Sequence, residues 1–278
     1  MLSDFVTAYA LRSDLSPGYV QQLRVTVNKF AAWLGRPARL KDLADDTVNR
    51  WLGSIALSRQ TIATQRRNLL VLWRAAFQDE LVDELPRRVR RIQVPRTLPL
   101  AWELSQLDAL LAAASKLRGV FRRSRVRRAA WWRAFVLTGW DTGLRLGDLL
   151  HLRFDAIGSD GTLAVLQRKT NSPLLCRLRP ETVAAILATS PPQRELVFGG
   201  VLGRDQIFKQ FKALCACAGF SGTTKGLRKS SATWVESLQP GAGKTHLGHL
   251  SDGVAAKHYI DARIVGRFRS VPLPPAIG

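Results

Sequence analysis

The stretch Thr142-Gly143-Leu144-Arg145-Leu146-Gly147-Asp148-Leu149-Leu150 joins two helical segments of different character. Upstream of it, the apolar run that begins at Trp131 and continues through Val136 reads as a buried helix. Gly143 makes a bend, Arg145 falls near the start of the next helix, and Asp148 stands one turn on, spaced to brace the guanidinium. An arginine presents a rigid planar fork that suits two phosphate oxygens. With 42 lysines and arginines in 278 residues, one arginine says little alone, so its surroundings must decide.

Working outward, residues 162–168 and 174–178 read as two short strands around Asn171-Ser172-Pro173, a hairpin with Lys169 where the first strand enters its turn. Helices are expected over roughly 180–188, 204–218 and 227–238, with a last short one near 254–262. On the N-terminal side, Leu104, Leu107, Leu110, Leu111 and Ala114 mark an amphipathic helix, followed by a basic stretch at 118–128 that contains Arg122, Arg123, Arg125 and Arg127. The region is mostly helical with a small sheet.

The first ninety residues read as a helical bundle. Ser16-Pro17 is a helix start, and Val20, Leu23, Val27, Phe30 and Leu34 keep one apolar face up to Gly35. Further helices carry Val48, Trp51, Leu52 and Ile55, then Ile62, Leu69, Leu70, Trp73 and Phe77, with Arg66 and Arg67 between the apolar positions. Periodicity then stops at Pro86-Arg87-Arg88-Val89-Arg90-Arg91, which reads as an extended basic linker. A segment with that charge can follow a DNA backbone while joining domains on opposite sides of a duplex. The expected division is therefore a helical domain over 1–95, with the basic linker at its end, and a second domain over 96–278. The fold class is mainly α with a small β-sheet, α+β.

A hydrophobic fraction of 46% supports a real core, while the formal net charge of +21 attracts polyanions, above all nucleic acid. No apolar run approaches the ~20 residues of a membrane-spanning helix, and the N-terminus lacks the pattern of a signal peptide. The three cysteines show no CxxC pairing, which disfavours zinc modules and disulfide frameworks and fits a reducing compartment.

Two further stretches carry chemistry. In Lys225-Gly226-Leu227-Arg228-Lys229, Leu227 supplies a core face while Lys225 and Arg228 share the other side at i, i+3 spacing. Leu247-Gly248-His249 is followed after ten residues by Tyr259. Of the three tyrosines, Tyr9 and Tyr19 lie in the first helical region, so Tyr259 stands alone in the second.

Taken in order, these segments resemble those of the tyrosine recombinase (phage integrase) family. Thr142-Gly143-Leu144-Arg145 with Asp148 is similar to the first-arginine box, and Lys169 to the hairpin lysine. Lys225-Gly226-Leu227-Arg228 resembles the His-x-Leu-Arg box, with Lys225 in place of the usual histidine. Leu247-Gly248-His249 resembles the Leu-Gly-His box ahead of the nucleophile, Tyr259. The N-terminal bundle resembles the family's core-binding (SAM-like) domain, so the similarity covers nearly the whole chain.

The resemblance implies cleavage and rejoining of DNA through a covalent 3′-phosphotyrosyl intermediate. Arg145, Arg228 and His249 would bind the nonbridging oxygens, where charge gathers in the transition state. Tyr259 would displace a 5′-hydroxyl, with Lys169 as general acid, Lys225 helping with the nucleophile's proton and Asp148 orienting Arg145. Only about 0.1% of a free tyrosine is ionised at neutral pH, a deficit of roughly 4 kcal/mol that clustered positive charge partly offsets. A lysine is a poorer general base than histidine near neutral pH. Neither a metal nor another cofactor is implied, since protein cations stand where a carboxylate nuclease places metals. Arg66, Arg67, Arg88, Arg90, Arg91, Arg123 and Arg125 are the expected DNA-backbone contacts. Expected partners are double-stranded DNA, a homotetramer on paired sites and an accessory directionality factor, with no membrane. The expected location is the cytoplasm of a bacterium, at the nucleoid. Two other readings stay open: a type IB topoisomerase-like enzyme, and an integrase-derived DNA-binding protein impaired in catalysis.

Overall fold

A computed structural model describes residues 1–95, 97–189 and 194–248. The chain divides into two compact units, Met1–Thr97 and Leu98–Gly278.

The first unit holds four helices: α1 (Leu2–Arg12), α2 (Pro17–Leu34), α3 (Asp45–Ser54) and α4 (Arg59–Gln78). Ser16 and Ser58 cap α2 and α4, their side chains accepting from the backbone N–H of Tyr19 and Thr61. Gly35 ends α2 in the left-handed conformation. Phe5, Leu23, Phe30, Trp51, Leu69 and Trp73 form the centre of the core. Sequence periodicity places the first helix after Ser16, whereas α1 precedes it: it has no side-chain N-cap, and Leu2 N–H instead bonds Ala38 C=O at 2.9 Å.

The basic segment at 86–91 does not lead away from this unit as a bare tether. Its backbone is fastened across α3 and α4. The Asp45 carboxylate accepts from the N–H groups of Arg87 and Arg88, and the Asn49 amide both donates to Arg88 C=O and accepts from Arg90 N–H. Arg66 donates to the carbonyls of Arg90, at 2.7 Å, and Val89, at 3.1 Å. Arg90 in turn donates to Leu52 C=O at 2.5 Å.

The second unit contains α5 (Leu104–Ser115), α6 (Arg128–Thr142), α7 (Leu146–Leu150), β1 (Thr162–Gln167), β2 (Ser172–Arg177), α8 (Pro180–Leu187), α9 (Arg204–Cys217), α10 (Thr224–Leu238) and α11 (Ala242–His246). Nearly every residue of α6 from Trp131 to Gly139 is buried, so this helix is apolar around its circumference and forms the axis of the domain. Trp131, Trp132 and Phe135 meet Phe198 and Phe211 in edge-on and tilted aromatic contacts. Trp102 ties the start of the unit to α10: its N–H bonds Ser230 Oγ at 2.8 Å and its carbonyl accepts from Trp234 Nε1 at 2.9 Å.

β1 and β2 form an antiparallel two-stranded sheet whose last pair is Gln167 with Ser172. The turn is therefore Arg168-Lys169-Thr170-Asn171, earlier than the Asn171-Ser172-Pro173 turn expected from sequence. Asn171 takes the left-handed conformation (φ 50°), which asparagine tolerates, and Pro173 pairs with Leu166 on an exposed strand, where a missing donor costs little. The expected helix at 254–262 lies outside the described residues.

Candidate active site

The site is built where the end of α6, the start of α7, the end of β1, the first turns of α10 and the end of α11 meet. Gly143 ends α6 with φ 58°, and Arg145 follows as the residue before α7. A side chain at Gly143 would face strain and sit 2.9 Å from both His246 Nε2 and Leu247 Cδ2. Arg228, on the second turn of α10, is buried at 3% exposure.

One chain of hydrogen bonds holds both guanidiniums. Arg228 donates through Nη1 to Gly143 C=O and through Nη2 to Leu247 C=O, the latter at 3.2 Å. Leu247 C=O also accepts from Gln167 Nε2 at 2.9 Å, and Gln167 Oε1 accepts from Arg145 Nη1. The sequence run from Arg145 to Arg228 to Leu247 is thus closed into one cluster through two backbone carbonyls and a buried glutamine.

Asp148 departs from its expected role. Its side chain, 3% exposed, accepts from the backbone N–H of Arg168 at 2.9 Å through Oδ1, while Oδ2 has no hydrogen-bond partner among the described residues. It fastens the hairpin turn to α7, while Arg145 donates to Gln167 Oε1. The next residue, Lys169, is exposed in that turn, and Lys225 is exposed on the first turn of α10. His249 and Tyr259 lie outside the described residues.

Beside the cluster, Ser231 Oγ lies 2.5 Å from Trp140 C=O and 2.6 Å from His246 Nε2. The carbonyl can only accept, so the one hydroxyl proton goes to it and His246 Nε2–H donates to the serine, which assigns the tautomer. Burial, and then the Arg228 charge, push the His246 pKa down to about 4.

Of the expected DNA contacts, Arg123 and Arg125 stand exposed on a small turn closed by the Val120–Arg127 bridge. Phe121 and Val126 anchor that turn in the core. Arg67, Arg88 and Arg91 are exposed on the first unit. Arg66 and Arg90, expected to face phosphate, have their guanidiniums engaged by backbone carbonyls. The Arg66 pKa is lowered by burial and by the neighbouring charges of Arg74 and Arg91, so the three form one dense patch of positive charge.

Sequence reasoning missed Gln167, Ser231 and His246. For Gln167 a signal existed: strand alternation puts Leu163, Val165 and position 167 on the inward face, and a polar residue there needs a partner.

No protein-family model and no curated protein matches the sequence. Solved structures do match. A lambda integrase dimer bound to a COC′ core site superimposes with a TM-score of 0.70 at 17% identity, covering 98% of this chain and 79% of that one. XerH site-specific recombinase, bound to palindromic difH substrate in a post-cleavage complex, gives 0.69 at 18% identity over 90% of this chain and 76% of that one. The Tn1549 transposon integrase in complex with circular intermediate DNA gives 0.67 at 12% identity, covering 98% and 96%. The architecture is mainly helical with a small two-stranded sheet. More particularly, this chain has the tyrosine recombinase fold.

Proposed function

We propose that this chain is a site-specific DNA recombinase or integrase that cleaves and rejoins strands through a 3′-phosphotyrosyl bond to Tyr259. The observation that carries the reading is the carbonyl-and-glutamine chain that holds Arg145 and Arg228 together, two guanidiniums from distant parts of the sequence fixed in one cluster. Preorganised positive charge of this kind stabilises the pentavalent transition state of phosphoryl transfer without reorganisation at the moment of reaction. The net charge of +21 and the fold shared with DNA-bound integrases support duplex DNA as the substrate.

In the proposed reaction the Tyr259 oxygen bonds phosphorus as the 5′-oxygen leaves, and Lys169 hands that oxygen a proton. Arg145, Arg228 and His249 bind the nonbridging oxygens, and Lys225 assists the nucleophile's proton. Resealing reverses these steps, with the bond energy kept in the phosphotyrosine. Two sites are brought together by a homotetramer, in the cytoplasm at the nucleoid.

The test uses a duplex spanning the junction of the mobile element that carries this gene, nicked beside the cleavage point so that the released fragment diffuses away. Wild-type protein is expected to accumulate a covalent protein–DNA adduct that Tyr259→Phe abolishes. Specific binding with no adduct would instead favour an integrase-derived binder, and efficient relaxation of plasmid lacking the junction would favour a topoisomerase.

A further inference from the structure

We infer that Gln167 is a positioning residue for this reaction: its amide couples the Arg145 guanidinium to the Leu247 carbonyl and so fixes the two arginines as one clamp. The inference rests on the function proposed above and adds a residue to it.

Gln167 closes β1 on the inward side of the strand and is fully buried. Its two amide ends face groups of opposite kind. Arg145 offers only donors, so it must meet the amide oxygen; the Leu247 carbonyl only accepts, so it must meet the amide nitrogen. The amide orientation is therefore dictated, and glutamine is the uncharged residue of that length that serves both partners. Because Leu247 C=O also accepts from Arg228, displacing the amide shifts the acceptor that orients the second guanidinium. The backbone at Gly248 (φ 62°) approaches so closely that a side chain there would collide with Gln167 Nε2. The next residue, Arg168, is pinned through its N–H to Asp148, and Lys169 follows. Three consecutive residues thus set the clamp, fasten the turn and present the expected general acid.

The chemistry of substitution separates positioning from packing. Leucine at 167 keeps the bulk and loses both bonds. Glutamate, when ionised, can accept from Arg145 but faces the Leu247 carbonyl with a second acceptor. When protonated, it regains the donor and imitates glutamine.

The experiment follows covalent adduct formation on the nicked duplex by full-length wild type, Gln167→Leu and Gln167→Glu, together with duplex affinity. For Gln167→Leu we expect an adduct rate about 100-fold lower with affinity changed by less than about threefold, the pattern of a misplaced catalytic group. For Gln167→Glu the rate divided by that of wild type at the same pH should climb as pH is lowered from about 6.5 to about 4, as the carboxyl, held ionised by Arg145, gains its proton. A wild-type rate in Gln167→Leu, a rate loss matched by an equal affinity loss, or a ratio for Gln167→Glu that is flat with pH would overturn the inference. Should Gln167→Leu fail to fold, the Gln167→Glu profile decides. If wild type makes no adduct, the proposed function fails, and calorimetric affinity for inorganic sulfate judges the inference separately. Weakening of about tenfold in both Gln167→Leu and Arg145→Ala supports it. Equal affinities, or no sulfate binding by wild type, overturn it.

Discussion

Arg228 and Arg90 each donate to backbone carbonyls, yet they stand in opposite surroundings. Arg228 is 3% exposed, holds the carbonyls of Gly143 and Leu247, and shares an acceptor with a buried glutamine. Arg90 is exposed and holds the Leu52 carbonyl, with Arg66 performing the same service for residues 89 and 90. In a chain this rich in arginine, the residue type does not reveal the role. What distinguishes Arg228 is a buried setting in which its charge is fixed by interior carbonyls; the same burial, and then the Arg228 charge, lower the pKa of neighbouring His246.

That contrast can be broken by mutation. Arg228→Ala strands the Gly143 carbonyl in the interior and takes one of two donors from the Leu247 carbonyl, so urea unfolding should show a loss of roughly 2–3 kcal/mol, and adduct formation should fall by about a thousandfold or more. Arg228 losing no more stability than a surface arginine would refute the distinction.

A smaller effect is expected from pH. The folded-state pKa of His246, about 4, lies below the value near 6.5 of an unfolded histidine, so the unfolded chain binds more protons between those limits. Stability from this group is complete above about pH 6.5 and is lost as pH falls towards 4, roughly 1–2 kcal/mol by pH 5. Thermal melts across this window should lose part of their slope in His246→Gln. An unchanged slope would show that the ring is not held neutral by the fold.

At the surface, Arg66→Ala should cost about 1 kcal/mol and open the bonds behind Arg87–Arg91 to trypsin. Resistance equal to wild type would mean that Asp45 and Asn49 hold the segment without it. The least stability change is expected for Arg123→Gln. Its melting point should stay put, while the slope of log affinity for DNA against log salt should fall by about one phosphate contact. An unaltered slope would remove that turn from the interface.

How far the molecule was legible follows the range of the interactions. Helix faces, the Ser16-Pro17 start and the hairpin are set by neighbours within a turn or a strand, and their sequence patterns carry over to the structure. α1 escaped because it begins without a side-chain cap and is held by a carbonyl 36 residues away, at Ala38. The i, i+3 spacing of Arg145 and Asp148 suggested a pair, but Asp148 turned to the N–H of Arg168, twenty residues on. Strand alternation marks Gln167 as an inward polar residue in need of a partner, but not which partner, because its acceptor is the backbone of Leu247 and a carbonyl leaves no mark in a sequence.

The central claim is that Tyr259 becomes bonded to DNA. Digesting the trapped adduct and sequencing the modified peptide by mass spectrometry tests it directly. The account predicts a nucleotide joined through a 3′-phosphate to Tyr259 and a free 5′-hydroxyl on the released strand. A nucleotide on another residue, or attachment through a 5′-phosphate, would contradict it.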